Sequence, residues 1–259
     1  MSAPVSPPSL GIVGAGAFGR FMARHLVPHF DLVLADPRAD LDAIAGRLGA
    51  RAGTLDEAAA AGITILAVPV QAIGEVAHAL ATRLPAGALV LDVGSVKVKP
   101  ALLLAEALPE TVDIVCTHPL FGPQSAADTI AGRKITLCPV RGDRAAGVAR
   151  FCGDVLGLKV IEATPADHDR ELAYVQGVTH LIGKTLLTMA LDDFDQTTVS
   201  YDLLRRAVGY IADDSADLFR AIELENPFAP EARRAFFDAV RQVESVLEGA
   251  EHRPGEAAP

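Results

Sequence analysis

Residues 10–19 read LGIVGAGAFG, a short apolar run that passes directly into a glycine-rich turn. A helical pattern follows over residues 20–27, and a second apolar run, residues 32–35, ends in Asp36. A bare glycine pattern is weak evidence, but here a strand precedes it, a helix and a second strand follow it, and an acidic residue closes the unit. This context predicts a turn that binds a dinucleotide.

Each glycine of the turn has a physical role in that interpretation. Gly14 permits the tight turn, Gly16 lets the backbone approach a pyrophosphate, and Gly19 lets the helix pack closely on the strand. Ala17 and Phe18 lie at the start of the helix, where free N–H groups and the positive end of the helix dipole face the phosphates. The alternative is a glycine-rich turn without a ligand.

The acidic residue after the second strand favours one cofactor over another. The carboxylate of Asp36 can accept hydrogen bonds from the ribose hydroxyls and would repel a 2′-phosphate, so NAD is expected. Arg38, two residues later, softens that preference, and NADP remains an alternative.

Apolar runs and helical patterns continue to alternate as far as residue 163. The runs are nearly continuous in apolar residues, which is typical of parallel strands covered on both faces. We therefore predict an α/β fold in which residues 1–163 form an N-terminal Rossmann domain with a doubly wound parallel sheet. Its later strands are expected over residues 63–68, 88–93, 112–115, 134–139 and 159–163.

Ligands of such sheets bind beyond the carboxyl ends of the strands, so the residues after each apolar run are candidate site residues. Val68 ends one strand and Pro69 follows it, and both are expected on the nicotinamide side. Ser95, Lys97 and His118 follow the next two strands and are expected to point into one crevice. The alternatives are a helix-capping role for Ser95 and a solvated surface position for Lys97.

The loop that carries the histidine, residues 116–125, reads CTHPLFGPQS. Each of its two prolines fixes its own φ and restricts the residue before it. A stiff loop can hold the imidazole of His118 in one place, which favours a functional role. The alternative is a rigid connection with an incidental histidine.

From Thr164 onward the pattern is helical only, which predicts an all-helical C-terminal domain over residues 164–248 and a disordered tail over 249–259. Helices are expected over residues 165–190, 197–223 and 230–248. The first of these is apolar nearly all round and is therefore expected to be buried. Three polar side chains share one of its faces and need partners, either another helix or a ligand: Gln176, His180 and Lys184.

An apolar stripe on the last helix, with so much apolar surface in a small helical domain, predicts a homodimer formed through that domain. The stripe comprises Phe236, Phe237, Val240, Val243, Val246 and Leu247.

Composition limits the class of partner and the compartment. The formal net charge of −10 argues against nucleic acid or an anionic membrane as partner. Three cysteines without metal-ligand spacing indicate free thiols in a reducing compartment, and no metal is expected. The first nine residues lack the pattern of a signal peptide, and no window is long and apolar enough to span a membrane. A cytoplasmic protein with a small-molecule substrate is the expectation.

Five elements in one order resemble the prephenate/arogenate dehydrogenase family of tyrosine biosynthesis. They are the dinucleotide turn, the Gly-Ser-Val-Lys of residues 94–97, the Thr-His-Pro-Leu-Phe-Gly-Pro of 117–123, His168-Asp169, and the Gln-Gly-Val-Thr-His of 176–180. The resemblance covers residues 10–248.

The resemblance implies an NAD(P)-dependent oxidative decarboxylation that converts prephenate to 4-hydroxyphenylpyruvate or arogenate to tyrosine. Within it, His118 is the catalytic base and Ser95 hydrogen-bonds the same substrate hydroxyl. His180 faces the ring carboxylate with Gln176 beside it, and Lys97 contacts the substrate. An imidazole suits proton abstraction near neutral pH.

The sequence departs from its relatives at two positions. Relatives often carry an acidic residue after the second loop proline, where this chain has Gln124. Many prephenate-using relatives carry an arginine on the later helix to hold the side-chain carboxylate, and Tyr210 stands there. Arg206, one turn earlier, is the candidate substitute, and the alternative is an arginine from elsewhere, including the other subunit. These departures leave the choice between prephenate and arogenate open.

Two other classes of function compete with this interpretation. Another two-domain dehydrogenase or imine reductase would place its catalytic group on the long helix, and Lys184 would then matter more than His118. A non-catalytic NAD-binding sensor would not need Ser95, His118 and His180 to converge.

Overall fold

The computed structural model describes residues 7–38 and 40–251. Its strands form one eight-stranded sheet with the spatial order β3-β2-β1-β4-β5-β6-β7-β8. The order reverses between β1 and β4, and in doubly wound sheets the ligand crevice opens at such a point. In chain order the strands are β1 Ser9–Val13, β2 Asp31–Ala35, β3 Arg51–Gly53, β4 Ile63–Leu66, β5 Leu89–Asp92, β6 Asp113–Pro119, β7 Lys134–Arg141 and β8 Lys159–Glu162.

The predicted α/β fold is confirmed, but the sheet is not wholly parallel. Strand β7 pairs antiparallel with β6, and β8 runs parallel to β7. A parallel crossover needs about a dozen residues, usually a helix, to carry the chain back along the sheet. Residues 120–133 form turns and no helix, so the chain returns antiparallel. Strand β3 is not predicted by apolar runs, because it is short and begins with an arginine.

The antiparallel pairing also corrects the position of the candidate base. Strand β6 was predicted to end at Val115, yet it continues to Pro119 because β7 supplies partners along it. His118 pairs with Thr136 and Pro119 pairs with Ile135. The imidazole is therefore carried by a strand and not by a free loop.

Residues of each strand alternate between two apolar layers, as a pleated strand requires. Val13, Val33 and Val90 belong to the layer on one face, whereas Ile12 and Leu34 belong to the layer on the other. Helices cover both layers and bury the sheet: α1 Ala17–Leu26, α2 Leu41–Leu48, α3 Leu55–Ala60, α4 Ile73–Leu80, α5 Val98–Ala107 and α6 Ala145–Arg150.

After β8 every regular element in the described residues is helical. The Thr164 hydroxyl accepts the N–H of Asp167 at 3.1 Å and starts α7 Pro165–Leu172. This helix continues through a π-helical segment, Ala173–Val178, into α8 Thr179–Thr188. The remaining helices are α9 Val199–Gly209, α10 Ala216–Arg220, which runs on as π-helix to Glu225, and α11 Ala229–Glu251.

The helix predicted over residues 197–223 is wrong in one respect, because it is interrupted between α9 and α10. Ser215 starts a new helix there by accepting the N–H of Leu218 at 3.1 Å. At the end of the helical part of the chain, α11 extends three residues into the tail predicted to be disordered. The rest of that tail, 252–259, lies outside the described residues.

The prediction that the first long helix is buried all round is also wrong for a single chain. Val175 and Met189 are more than half exposed, because neighbouring helices cover only one side of α7 and α8. Val240, Val243 and Val246 on α11 are likewise exposed. The helical part of the chain thus carries an uncovered apolar surface.

The three cysteines are free and buried, as expected. Burial raises the pKa of Cys138 to about 12 and that of Cys152 to about 11, so these thiols are protonated and behave as small apolar side chains. Within the described part of the chain, no helix combines the length and apolarity that crossing a membrane requires.

We expect Gly11→Ala to destabilise the fold. Gly11 lies in β1, and a Cβ there would stand 2.2 Å from the backbone oxygen of Ala58 in α3. Relieving that overlap requires the helix to move, at a cost of about 1–3 kcal/mol. The midpoint of urea unfolding should fall accordingly.

Gly46→Ala in α2 is the matched control, because no atom lies within 4 Å of its added Cβ. It should raise the free energy of unfolding by about 0.5–1 kcal/mol, and the midpoint of urea unfolding should rise accordingly. Equal midpoints for the two variants would show that β1 and α3 are not packed this closely.

Candidate active site

A buried ion pair lies beneath the carboxyl ends of β5 and β6. The Lys97 ammonium is 2.6 Å from Asp92 Oδ2 and 2.5 Å from the carbonyl oxygen of Thr117, and neither charged side chain is exposed. The Thr117 hydroxyl donates to the Asp92 carbonyl at 2.7 Å. Lys97 is thus neither a surface lysine nor free to reach a ligand, which corrects the predicted substrate contact. Instead, its ammonium group links the ends of β5 and β6 through its contacts with Asp92 and Thr117.

His118 stands at the next position of β6 and begins a chain of hydrogen bonds. Its Nδ1 lies 2.9 Å from Nε2 of His168, whose Nδ1 lies 2.8 Å from Oδ1 of Asp169. All three side chains are buried. His168 and Asp169 come from α7, so the helical part of the chain completes the surroundings of the candidate base.

Asp169 also caps helix α5. Its Oδ1 accepts the N–H of Lys97 at 2.7 Å, and its Oδ2 accepts the N–H of Val98 at 2.9 Å. The capping role considered for Ser95 is therefore taken by a residue more than 70 positions away. Among the described residues the Ser95 hydroxyl makes no hydrogen bond, which leaves it available to a ligand.

Burial lowers the pKa of His118 well below its ordinary value, and the positive charge of Lys97 nearby lowers it further. The imidazole is therefore neutral at pH 7. A neutral imidazole is the form that accepts a proton, so His118 is in the protonation state of a general base.

The glycine-rich turn has the geometry that a dinucleotide needs. Gly14 has a φ of +109°, which L side chains rarely adopt, and a Cβ on Gly19 would stand 2.0 Å from the oxygen of Gly14. No atom of the protein lies within 4 Å of a Cβ built on Gly16. Gly16 also precedes α1, so no side chain caps the first N–H groups of the helix, from Ala17 and Phe18 on.

Asp36 at the end of β2 holds this turn in place. Its Oδ2 accepts the N–H of Ala15 at 2.7 Å and its Oδ1 accepts the N–H of Arg38 at 3.1 Å. The Arg38 guanidinium in turn donates to the Ala15 carbonyl at 3.0 Å. Each carboxylate oxygen retains a lone pair for a ribose hydroxyl. Val68 lies beside the turn, with its Cγ1 3.2 Å from a Cβ built on Gly14, and Pro69 follows it.

A second polar group forms on α8. His180 Nδ1 is 2.9 Å from the carbonyl of Gln176, and His180 Nε2 is 3.1 Å from Oδ2 of Asp214. Because a carbonyl and a carboxylate only accept, the imidazolium form of His180 satisfies both contacts. Lys184 Nζ lies 3.5 Å from the Asp214 carbonyl. Asp214 follows no strand and shares no motif with His180, so the sequence did not indicate it.

Glu223 is a further buried carboxylate near His180 that sequence reasoning missed. Arg233 donates to its Oε2 at 3.1 Å and to its backbone oxygen at 2.9 Å. Its Oε1 is buried and has no partner among the described residues. Burial raises the pKa of Glu223, while Arg233 and His180 oppose that rise.

The remaining predicted substrate residues lie outside the hydrogen-bonded groups around His118 and His180. Arg206 donates from Nε to the hydroxyl of Tyr210 at 3.3 Å, and both side chains are exposed on or beside α9. Gln124 is exposed in the segment after β6. In residues 7–38 and 40–251, none of the three hydrogen-bonds to His118 or His180.

The family model described as "Prephenate dehydrogenase, nucleotide-binding domain" matches residues 24–154. Arogenate dehydrogenase 1 of Arabidopsis thaliana is 32% identical over 253 residues, which are 94% of this chain and 40% of that protein. Arogenate dehydrogenase 2 of the same plant is 29% identical over 94% of this chain and 71% of its own length. The chain thus spans two fifths of the first relative and about seven tenths of the second.

The fold is shared with a solved prephenate dehydrogenase from A. aeolicus, crystallised with hydroxyphenyl propionate and NAD+. The TM-score is 0.76 at 22% identity, over 96% of this chain and 94% of the other. The match of the family model to half of the chain confirms the resemblance that the motifs predict. The chain belongs to the prephenate/arogenate dehydrogenase family.

Proposed function

We propose that the protein catalyses the NAD-dependent oxidative decarboxylation of arogenate or prephenate. The observation that carries this proposal is His118, a buried neutral imidazole at the carboxyl end of β6. This end belongs to the same edge of the sheet as the glycine-rich turn after β1. A base and a dinucleotide site on one edge are what hydride transfer from an alcohol carbon requires.

The cofactor would be held by the turn and by Asp36. The open space at Gly16 and the uncapped N–H groups of α1 suit a pyrophosphate. Asp36 suits the ribose of NAD, and Arg38 beside it leaves NADP as the alternative. When bound, the nicotinamide supplies the hydride acceptor. Val68, Pro69 and Ser95 are the neighbours we assign to its ring.

The protein's own chemistry is the handling of one proton. His118 accepts the proton of the ring hydroxyl through Nε2 while hydride leaves the ring carbon that bears this hydroxyl. The bond from the ring to its carboxylate breaks, CO2 departs, and the electron pair of that bond completes the aromatic ring. Ser95, whose hydroxyl is unengaged, hydrogen-bonds the reacting oxygen and orients it.

We favour arogenate over prephenate as substrate. The two Arabidopsis relatives are arogenate dehydrogenases, and the surroundings of His180 contain two carboxylates, Asp214 and Glu223. Those charges attract the side-chain ammonium of arogenate, which prephenate lacks. His180 and Gln176 remain the residues assigned to the ring carboxylate.

The function is tested by supplying arogenate and then prephenate, each with NAD and with NADP, and by following the absorbance of the reduced cofactor. We expect the highest kcat/KM for arogenate with NAD. Turnover of prephenate alone would overturn the substrate preference. No turnover with any of the four combinations would refute the proposed function.

We expect His118→Ala to abolish most of the chemical step without weakening cofactor binding. Removing a general base typically costs about 10²–10⁴-fold in rate, whereas in the described part of the chain the His118 side chain hydrogen-bonds to His168 and not to the dinucleotide turn. The measurements are kcat with the preferred substrate and the Kd for NAD by fluorescence titration. An equal loss of NAD affinity would show that His118 supports the structure only.

We further propose that the protein is a cytoplasmic homodimer joined through its helical domain. The exposed apolar side chains of α11 and of α7–α8 support the dimer, because large exposed apolar patches typically mark an interface. Three buried free thiols suit a reducing compartment.

Val243→Glu combined with Val246→Glu should convert the dimer to a monomer, because each substitution would bury a charge at the proposed interface. The measurement is molar mass by light scattering after gel filtration. Leu102→Glu is the matched control, since Leu102 is 66% exposed on α5, outside the helical domain. A monomeric wild-type protein, or dissociation of the control, would contradict the proposal.

A further inference from the structure

The hydrogen bonds of Asp169 fix the protonation of two histidines. Both oxygens of Asp169 accept backbone N–H groups, from Lys97 and Val98, and a backbone N–H can only donate. The carboxylate form accepts both bonds, and it sits at the N-terminus of α5, where the helix dipole favours a negative charge. Oδ1 also faces His168 Nδ1 at 2.8 Å. That nitrogen must carry a proton.

The same argument passes to the next ring. In its neutral form, His168 with a proton on Nδ1 offers a lone pair at Nε2, because a neutral imidazole has one donor and one acceptor nitrogen. This lone pair faces His118 Nδ1 at 2.9 Å. His118 must then carry its proton on Nδ1, and its Nε2 is left with the lone pair.

We propose that His168 and Asp169 are positioning residues that hold His118 in the Nδ1–H tautomer, so that Nε2 is the atom that accepts the substrate proton. The catalytic meaning of this inference rests on the proposed function, whereas the tautomer itself does not. An imidazole without such a partner divides between two tautomers, and the form with a proton on Nε2 cannot act as the base.

The chain of hydrogen bonds also serves the state that follows proton transfer. When Nε2 of His118 gains the hydroxyl proton, the ring becomes a buried imidazolium beside Lys97. Its Nδ1–H remains in place and donates to His168, which donates to the Asp169 carboxylate. No proton needs to leave Nδ1, and the negative charge two hydrogen bonds away offsets the new positive charge.

The tautomer of His118 is consequently determined by the helical part of the chain. His168 and Asp169 lie on α7, and Asn226, which follows α10 and its π-helical extension, donates from Nδ2 to the Asp169 carbonyl at 2.7 Å. The sheet alone supplies His118 but gives no group that selects its tautomer.

The test reads the tautomer directly, in the full-length protein labelled with ¹⁵N, by long-range ¹H–¹⁵N correlation of the histidine rings at pH 7.5. The His118 signals are assigned by their loss in His118→Gln. In the wild-type protein we expect a protonated, pyrrole-like Nδ1 and an unprotonated, pyridine-like Nε2. A proton on Nε2 would overturn the proposal outright.

Two substitutions of His168 separate positioning from support of the fold. His168→Phe keeps a ring but removes the acceptor, and it should shift His118 toward the Nε2–H tautomer and lower kcat by about 100-fold, with unchanged Kd for NAD. His168→Gln retains an acceptor oxygen and should keep the wild-type tautomer and at least a tenth of the wild-type kcat. An unchanged tautomer in His168→Phe would overturn the proposal.

His78→Gln is the matched control, since His78 is exposed on α4 and bonds only to its own helix. Its His118 spectrum and kcat should match the wild type. If His168→Phe does not fold, the wild-type and His168→Gln spectra still decide the tautomer. If the spectra behave as expected but no cyclohexadienol is turned over, the proposed function fails and the tautomer assignment stands.

Discussion

The Asp169 carboxylate is the group on which the site depends. One anionic side chain from α7 caps the first N–H groups of α5, orients His168, and brings the helical part of the chain against the ends of β5 and β6. A capping interaction is typically worth about 1 kcal/mol, and a hydrogen bond to a charged group about 1.5–3 kcal/mol. The free energy of the Asp169 contacts is therefore a substantial fraction of the stability of a typical domain. Removing them would loosen the interface and the base together.

Beneath it lies the pair of Lys97 and Asp92, which is fully excluded from water. Such a pair is costly to desolvate, and its attraction only offsets that cost when further hydrogen bonds satisfy the charges. Here the Thr117 carbonyl and the N–H of Gly94 supply two, while Asp92 Oδ1 has no partner in the described chain. The pair gives little net stability. It fixes the relative position of two strand ends, and its ammonium helps to keep His118 neutral.

Much of this arrangement could be predicted from short-range pattern. The context of the glycine-rich turn predicts the nucleotide site, and apolar runs predict most strands, because both signals are contained in a few neighbouring residues. Strand direction leaves no mark in such runs, so the antiparallel return of β7 and the extension of β6 to His118 were missed. The capping of α5 by Asp169 was missed for a related reason. Its donors lie 71 and 72 residues away in sequence.

The candidate site is built from two parts of the chain, the strand ends of the sheet and the helices around α8. The base and the dinucleotide turn belong to strand ends whose geometry is fixed by the sheet and by the Lys97 pair. The group around His180 belongs to α8 and the helices that pack on it. Asp214 Oδ2 lies 3.1 Å from His180 Nε2 and adds a carboxylate to the surroundings of that ring, and Oε1 of Glu223 has no partner in the described chain. Under the proposed function, substitutions there would alter the charge that the substrate side chain meets, while the proposed tautomer of His118 depends on other residues. Under that function, selection between a keto acid and an amino acid would therefore proceed without cost to the proton transfer.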